Sequence, residues 1–191
     1  MKCNEQAFEL IKFILPSLCT IIVAIISSIT VVKSARKSRK EELAKNLQDN
    51  LESFYYPFLI LSKKTTLLYS ALSNVVKLND GSDSNENGCI AYLLSGKTFS
   101  GNGRVLFEQI LKNDITLNEL IINHSNVVSN NKLRERLSKL SAHYTILELA
   151  YNGQLNGDSK VLSGYSFPSE VVSDLEQEVE KIRIKIQEYS K

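Results

Sequence analysis

Residues 95–98, SGKT, come nearest of any segment in this chain to a recognised chemical motif. A phosphate-binding loop has the pattern G-x-x-x-x-G-K-[ST], in which backbone N–H groups surround the phosphates and the lysine reaches them. The first glycine of that pattern falls on Ala91. Without that glycine the segment is better explained as a flexible turn, so we predict no nucleotide site here.

The histidines and cysteines are the other candidates for catalysis or metal binding. His124 and His143 belong to different predicted helices, and Cys89 is the one cysteine that could accompany them. Neither histidine has a second His or Cys at metal-site spacing, which leaves a Cys–His nucleophile pair as the alternative. No G-x-S-x-G, H-E-x-x-H or paired-carboxylate pattern is present in the sequence. We therefore predict a non-enzymatic protein with no catalytic residue, no metal ligand and no cofactor.

Residues 13–32 contain no charged side chain and are followed at once by a basic cluster. Twenty helical residues rise about 30 Å, which is the thickness of the hydrocarbon core of a bilayer. A secretory signal peptide has a shorter apolar region, of about 7–15 residues, and a small-residue cleavage site, which this segment lacks. The segment is therefore predicted to be a transmembrane helix that is retained.

The charges on either side of this segment predict its orientation. Residues 1–12 carry two cationic and two acidic side chains, whereas residues 33–40 carry five cations and no acid. By the positive-inside rule, residues 1–12 lie outside the cytoplasm and residues 41–191 form the cytosolic domain of a single-pass inner-membrane protein. The cluster at residues 33–40, here called the collar, is predicted to contact anionic lipid head groups. Its cations are Lys33, Arg36, Lys37, Arg39 and Lys40.

The charge of residues 41–191 argues against a nucleic-acid partner. This part carries 16 cationic and 19 acidic side chains, a net charge of −3. A nucleic-acid-binding domain is usually basic. Lys132, Arg136 and Lys139 lie near one another on a predicted helix, but no aromatic side chains alternate with them, which favours a solvated helix face.

The apolar periodicity of residues 41–191 predicts an all-α fold. We expect a helical bundle with two long heptad-patterned helices, at residues 44–75 and 172–189, that pack together. Pro57 interrupts the first pattern, so a kink or hinge is predicted there, formed with Tyr55 and Tyr56. The surrounding FYYPF cluster is either core around the proline or a docking surface.

Shorter elements are expected between these two helices. Residues 79–88 are a predicted polar loop, and the apolar residues after it form either a short helix or a strand. Thr116 and Glu119 have capping-box spacing, which predicts a helix that begins there and ends near His124, separate from a helix at residues 104–112. The next helix has an apolar face formed by Leu133, Leu137, Leu140, Tyr144 and Leu147.

Small residues form a stripe along the apolar segment. Ser17, Thr20, Ala24 and Ser28 recur at spacings of three and four. Such spacing lets membrane helices approach closely, which predicts self-association through this stripe. The alternative is that the stripe reflects only the ordinary composition of a membrane helix.

In its plan the chain resembles the small membrane effectors of bacterial antiphage systems, including retron-associated transmembrane proteins. The resemblance lies in the membrane segment and collar at residues 13–40 and in the helix LESFYYPFLILSKKTTLLYSAL at residues 51–72. It implies a membrane segment coupled to a cytosolic sensing part, whose activation damages the inner membrane and halts growth. Some such effectors have two membrane helices. Adjacent Lys63 and Lys64 would make a second span at residues 54–76 costly, so we predict one.

Two functions are compatible with these features. One is an effector that oligomerises and disrupts the inner membrane, as in an antiphage or toxin-like system. The other is a passive anchor or adaptor that holds a cytosolic partner through coiled-coil-like contacts. The expected partners are the lipid bilayer, further copies of the chain, and a cytosolic protein or nucleoprotein that controls it. Direct nucleic-acid binding is not expected.

Overall fold

The computed structural model describes residues 2–76, 86–155, 167–168 and 170–190, with the helical backbone alone for residues 2–19 and 86–87. Every regular element in these ranges is helical, which confirms the predicted all-α class. In chain order the elements are α1 (Lys2–Asn50), a π-helical turn (Leu51–Tyr55), α2 (Tyr56–Val76), α3 (Glu86–Leu94), α4 (Gly101–His124), a 3-10 turn (Ser125–Val127), α5 (Asn131–Tyr151) and α6 (Val171–Tyr189). Of the polar loop predicted at residues 79–88, residues 79–85 lie outside the described residues, and residues 86–88 are helical, as the start of α3.

The chain divides into two compact units. The first comprises Met1–Asn46 with Lys185–Lys191, and the second comprises Leu47–Ile184. In the first unit, α1 continues through the collar without a break. No helix in the described part of the chain has both the length and the apolar character needed to cross a bilayer. The assignment of residues 13–32 as a transmembrane helix stays a prediction.

Near its start, the second unit contains the π-helical turn Leu51–Tyr55, which ends two residues before Pro57. A proline cannot donate a backbone hydrogen bond, and in a regular helix its ring clashes with the carbonyl four residues earlier. Here the N–H of Tyr56 bonds to the carbonyl of Leu51, five residues back, which is the π-helical spacing. The wider turn brings two consecutive aromatic residues, Phe54 and Tyr55, into the core, and both are fully buried.

The buried face of α2 differs from the predicted heptad face at alternate positions. In the heptad pattern of residues 44–75, the positions within α2 are Phe58, Leu61, Thr65, Leu68, Leu72 and Val75. Phe58, Thr65 and Leu72 are buried as predicted, but Val75 is 51% exposed and Leu61 and Leu68 are only partly buried. The residues one position later, Ser62 and Tyr69, are buried instead. The buried positions Phe58, Ser62, Thr65, Tyr69 and Leu72 keep the alternating steps of three and four, but the order of the steps is reversed after Phe58.

The core of the second unit lies between α2, α3, α4 and α5. The apolar segment that was predicted to be either a short helix or a strand is a helix, α3. It buries Cys89, Ile90 and Leu93. A row of aromatic rings joins the elements: the centroids of Phe99 and Phe107 are 4.4 Å apart and stacked. The rings of Tyr92 and Tyr151 continue this row at its two ends. The apolar face predicted for α5 is buried as expected, from Leu133 to Leu147.

The predicted helix start at Thr116 is wrong. Residues 101–124 form one helix, α4, and Thr116 lies inside it with its hydroxyl donating to the carbonyl of Lys112 at 3.1 Å. A threonine hydroxyl can bond to its own helix in this way as readily as it caps a new one, so the capping-box spacing was not decisive. The N-terminal end of α5 carries a side-chain cap. There the side chain of Asn130 accepts hydrogen bonds from the backbone N–H groups of Lys132 and Leu133.

The last helix, α6, contacts α2 through surface side chains, and the predicted packing of the two heptad-patterned helices through their apolar faces stays a prediction. Its buried positions are Val171, Leu175, Val179 and Ile182. At its surface Lys63 of α2 pairs with Glu176 at 2.8 Å, and both side chains are about half exposed or more. Such an exposed pair contributes less than about 1 kcal/mol.

Candidate membrane interface

Large apolar side chains cover α1 between residues 21 and 32. Eight of them are each 50–66% exposed: Ile21, Ile22, Val23, Ile25, Ile26, Ile29, Val31 and Val32. At about 100° per residue these positions are distributed around most of the helix circumference. A helix that is apolar on all sides is normally surrounded by protein or lipid. We call residues 21–32 the apolar belt.

Two of the three hydroxyl groups within the belt, those of Ser28 and Thr30, are bonded to their own helix. Ser28 Oγ donates to the carbonyl of Ala24 at 2.8 Å, and Thr30 Oγ1 donates to the carbonyl of Ile26 at 2.8 Å. A hydroxyl satisfied in this way needs no water, so it is compatible with an apolar surrounding.

The predicted small-residue stripe lies along α1. Thr20, Ala24 and Ser28 lie at successive spacings of four, on one face of the helix, and all three are exposed. Ser17 is on the same helical backbone, but its side chain lies outside the described part. Self-association through this stripe stays a prediction.

The collar follows directly on the same helix, and all five of its cations are exposed. Lys33, Arg36, Lys37 and Lys40 have the spacing i, i+3, i+4 and i+7, so they share one face, whereas Arg39 lies about a third of a turn away. Lys37 Nζ is 3.9 Å from Glu41 Oε1, and the two side chains are 80% and 64% exposed. A pair this exposed is weak, so it leaves the positive charge of the collar face largely available.

The predicted hinge residues have defined environments in the second unit. The hydroxyl of Tyr55 is buried without a hydrogen-bond partner, and burial, together with Glu178, raises the pKa of Tyr55 to about 12. The Nε of Arg183 donates to the hydroxyl of Tyr56 at 3.3 Å, and its guanidinium lies 5.8 Å from the Tyr56 ring centroid. Tyr55 and Tyr56 thus pack against other helices, and a hinge motion at Pro57 stays a prediction.

The SGKT segment forms a turn after α3. Gly96 has φ = 77°, a left-handed conformation that glycine adopts without strain. Ser95 Oγ donates to the Tyr92 carbonyl at 2.7 Å, and Lys97 Nζ lies 5.4 Å from the Tyr92 ring centroid. Ser95 and Lys97 thus both contact Tyr92. This local packing agrees with the interpretation of the segment as a turn.

Two of the thiol and imidazole candidates, Cys89 and His143, are buried, whereas His124 at the end of α4 is only partly buried. Cys89 is 1% exposed within the hydrophobic core, and His143 is fully buried with its ring 5.6 Å from that of Phe167. Within residues 2–76, 86–155, 167–168 and 170–190, no group of three or more His, Cys, Asp or Glu side chains could hold a metal ion.

A buried polar layer between α2 and α4 was missed by the sequence analysis. Asp114 and Asn113 of α4 are 0% and 4% exposed, and Thr65 of α2 is 3% exposed. The Tyr69 hydroxyl donates to Asp114 Oδ2 at 3.4 Å, and burial raises the pKa of Asp114 to about 8. The signal was present in the sequence, since Asp114 continues the apolar face that includes Ile110 four residues earlier.

Comparison with known proteins finds no family model, no curated protein and no solved structure that matches this chain.

Proposed function

We propose that this protein is a non-enzymatic effector anchored in the inner membrane by residues 13–32, with residues 41–191 in the cytoplasm, and that it oligomerises to disrupt the bilayer. The observation that carries the proposal is the apolar belt of α1, whose eight large side chains are at least half exposed. The collar begins at the next residue, Lys33. An apolar belt followed at once by cations is the arrangement of a membrane helix at its cytoplasmic end.

The energetics of the belt favour burial in lipid. Complete burial of one Val or Ile side chain contributes roughly 1.5–3 kcal/mol, so eight half-exposed side chains would contribute roughly 6–12 kcal/mol on transfer to hydrocarbon. The hydroxyls of Ser28 and Thr30 add little cost, because both are already bonded to backbone carbonyls.

Matched valine substitutions test the membrane anchor. Val23 of the belt is 61% exposed and Val105 of α4 is 66% exposed. An aspartate near the centre of a membrane helix costs about 2.5–3.5 kcal/mol. We expect Val23→Asp to move the full-length protein into the alkaline-extractable fraction, whereas Val105→Asp leaves it in the membrane pellet. Equal extraction of the parent and both variants would reject the anchor.

A paired reporter fusion tests the orientation. A C-terminal reporter that is active only in the cytoplasm should give signal, and one that is active only in the periplasm should not. Neutral residues at all five collar positions should weaken this preference, because the positive-inside rule depends on these charges. Strong periplasmic signal from the parent would contradict the proposed orientation.

Disruption by this protein would require several copies, because a single helix satisfies its own backbone and cannot enclose a water path. Since the Ser28 hydroxyl is bonded within its own helix, close approach of the small residues is the expected contact. Thr20→Leu with Ala24→Leu would fill this face, and Ile22→Leu is the control.

A membrane-potential dye in expressing cells supplies the readout. The parent and Ile22→Leu should depolarise cells and form crosslinked oligomers, whereas the double variant should do neither. If the double variant depolarised cells as strongly as the parent, the small-residue stripe would not be part of the mechanism.

One observation favours the second candidate, a passive anchor or adaptor. Ile60, Leu67 and Val75 of α2 are 67%, 72% and 51% exposed and lie along one side of that helix. An apolar stripe of this kind suits a helical partner. The same dye experiment separates the two functions, because an adaptor expressed at high level leaves the membrane potential unchanged.

A further inference from the structure

An open cleft of about 700 Å³ lies in the first unit, between the collar and the C-terminal end of α6. Its α1 wall consists of Lys33, Arg36, Lys37, Lys40 and Glu41, and its other wall consists of Tyr189 and Ser190. We propose that this cleft is a binding site for a phosphate group, which would be held by cations from α1 and by hydroxyls from the end of α6.

The charge of the lining residues favours an anion. Four cations and one acid give a formal charge of +3. Of the four cations, only Lys37 is paired with an acid among the described residues, at 3.9 Å from Glu41. Lysine and arginine form charge-assisted hydrogen bonds with phosphate oxygens, and arginine can donate two in parallel.

The second wall adds polar groups suited to the same ligand. Tyr189 is half-buried and contributes a ring and a hydroxyl, and hydroxyls donate readily to phosphate oxygens. Ser190 Oγ donates to the carbonyl of Ile186 at 2.9 Å, so it must exchange that hydrogen bond to reach a ligand. Because two separate segments line the cleft, an occupant would bridge α1 and the end of α6.

The position of the cleft points to a source of the phosphate. Lys33 directly follows Val32, the last residue of the apolar belt, and residues 33–40 rise about 10 Å along the helix. If the belt is in the bilayer, the cleft lies at the depth of the lipid head groups. An anionic phospholipid is then one source, and this source rests on the proposed membrane anchor. A water-soluble phosphate compound is the other source and does not depend on the anchor.

Arg36 and Arg39 make a matched pair that separates this site from the general charge of the collar. Both are exposed arginines on α1, but Arg36 lines the cleft and Arg39 does not. A diffuse attraction to anions would respond equally to the loss of either charge. A defined site would respond to Arg36 alone.

The chain contains no tryptophan, so Tyr189→Trp places a single reporter in the cleft. Full-length protein carrying this substitution, in neutral detergent micelles, would be titrated with pyrophosphate, with short-chain phosphatidylglycerol, and with chloride at matched ionic strength. We expect a saturable change in tryptophan emission with at least one phosphate compound. Added Arg36→Gln should weaken binding about tenfold, and added Arg39→Gln less than about twofold.

Unsubstituted protein provides a second measurement, the broadening of the ³¹P signal of each ligand. A response to phosphatidylglycerol alone identifies a lipid head group, and a response to pyrophosphate alone identifies a soluble ligand. Equal weakening by the two arginine substitutions, or an equal response to chloride, would overturn the site. Absence of saturation in both measurements would overturn it as well. Loss of the membrane anchor would appear separately, in the alkaline extraction of Val23→Asp.

Discussion

Replacing the buried Asp114 by asparagine should remove most of the pH dependence of folding stability. The carboxyl is fully buried, Tyr69 donates to one oxygen at 3.4 Å, and the other oxygen, Oδ1, has no hydrogen-bond partner among the residues that the structure describes. On α2, the ammonium of Lys64 donates to the adjacent Asn113 at 3.3 Å. Burial raises the pKa of Asp114 from 3.8 to about 8, and the hydrogen bond from Tyr69 offsets only part of this rise.

The sign and size of the effect follow from proton linkage. Between the unfolded pKa of 3.8 and the folded pKa of about 8, the folded state binds one more proton than the unfolded state. The free energy of unfolding therefore falls by about 1.4 kcal/mol for each pH unit in this window. From pH 5 to pH 8, with Asp114 half titrated at the upper limit, the loss is about 3–4 kcal/mol. Asp114→Asn keeps the shape of the neutral acid but carries no titrating proton, so this loss should disappear.

Urea unfolding of the full-length protein in neutral detergent, followed by the near-ultraviolet circular dichroism of its tyrosines, measures this free energy at pH 5 and pH 8. Subtracting the Asp114→Asn values from those of the parent removes the contribution of all other titrating groups. Glu119→Gln is the control, because Glu119 is an exposed acid on the same helix. If Asp114→Asn lost as much stability as the parent between the two pH values, the buried acid would not be the source.

Three further substitutions test the packing of the second unit. Gly103→Ala places a Cβ atom 2.8 Å from Val76 Cγ2, so the free energy of unfolding should fall by about 1–3 kcal/mol. Val76→Ala in the same chain should restore part of this loss, and additive effects in a double-mutant cycle would contradict the clash. Phe107→Leu removes a fully buried ring from the aromatic row and should cost about 1–3 kcal/mol in thermal unfolding, whereas an unchanged melting temperature would show that the stacking is unimportant. Arg136→Gln removes the cation that pairs with Asp174, which is 26% exposed, and should cost about 1–3 kcal/mol in urea unfolding; a cost below about 0.5 kcal/mol would mean that solvent already screens the pair.

Local patterns predicted the helical elements well where one helix face meets one core. The periodic leucines of α5 are buried as expected, and α6 buries Leu175, Val179 and Ile182. The predictions failed where two local signals compete. Thr116 has the spacing of a helix cap, but α4 continues through it because the packing of residues on both sides keeps the helix intact.

The buried face of α2 could not be derived from its own periodicity. A proline permits a kink, a helix restart or a π-helical turn, and these alternatives place different residues in the core. Phe58, Thr65 and Leu72 are buried at their heptad positions. After the π-helical turn at Leu51–Tyr55, however, Ser62 and Tyr69 are buried in place of Leu61 and Leu68, although leucine is the more apolar residue. The choice depends on how Phe54 and Tyr55 pack against distant helices.

The sequence by itself determined the all-α class, the apolar belt and the adjoining collar, because these depend on the order of neighbouring residues along one helix. Tertiary structure decided three other properties. It buried Asp114 and thereby raised its pKa, it shifted the core face of α2, and it brought Tyr189 to the cations near Lys33. Each of these properties arises from contacts between residues far apart in the chain. Such contacts cannot be deduced from the local periodicity or spacing of residues.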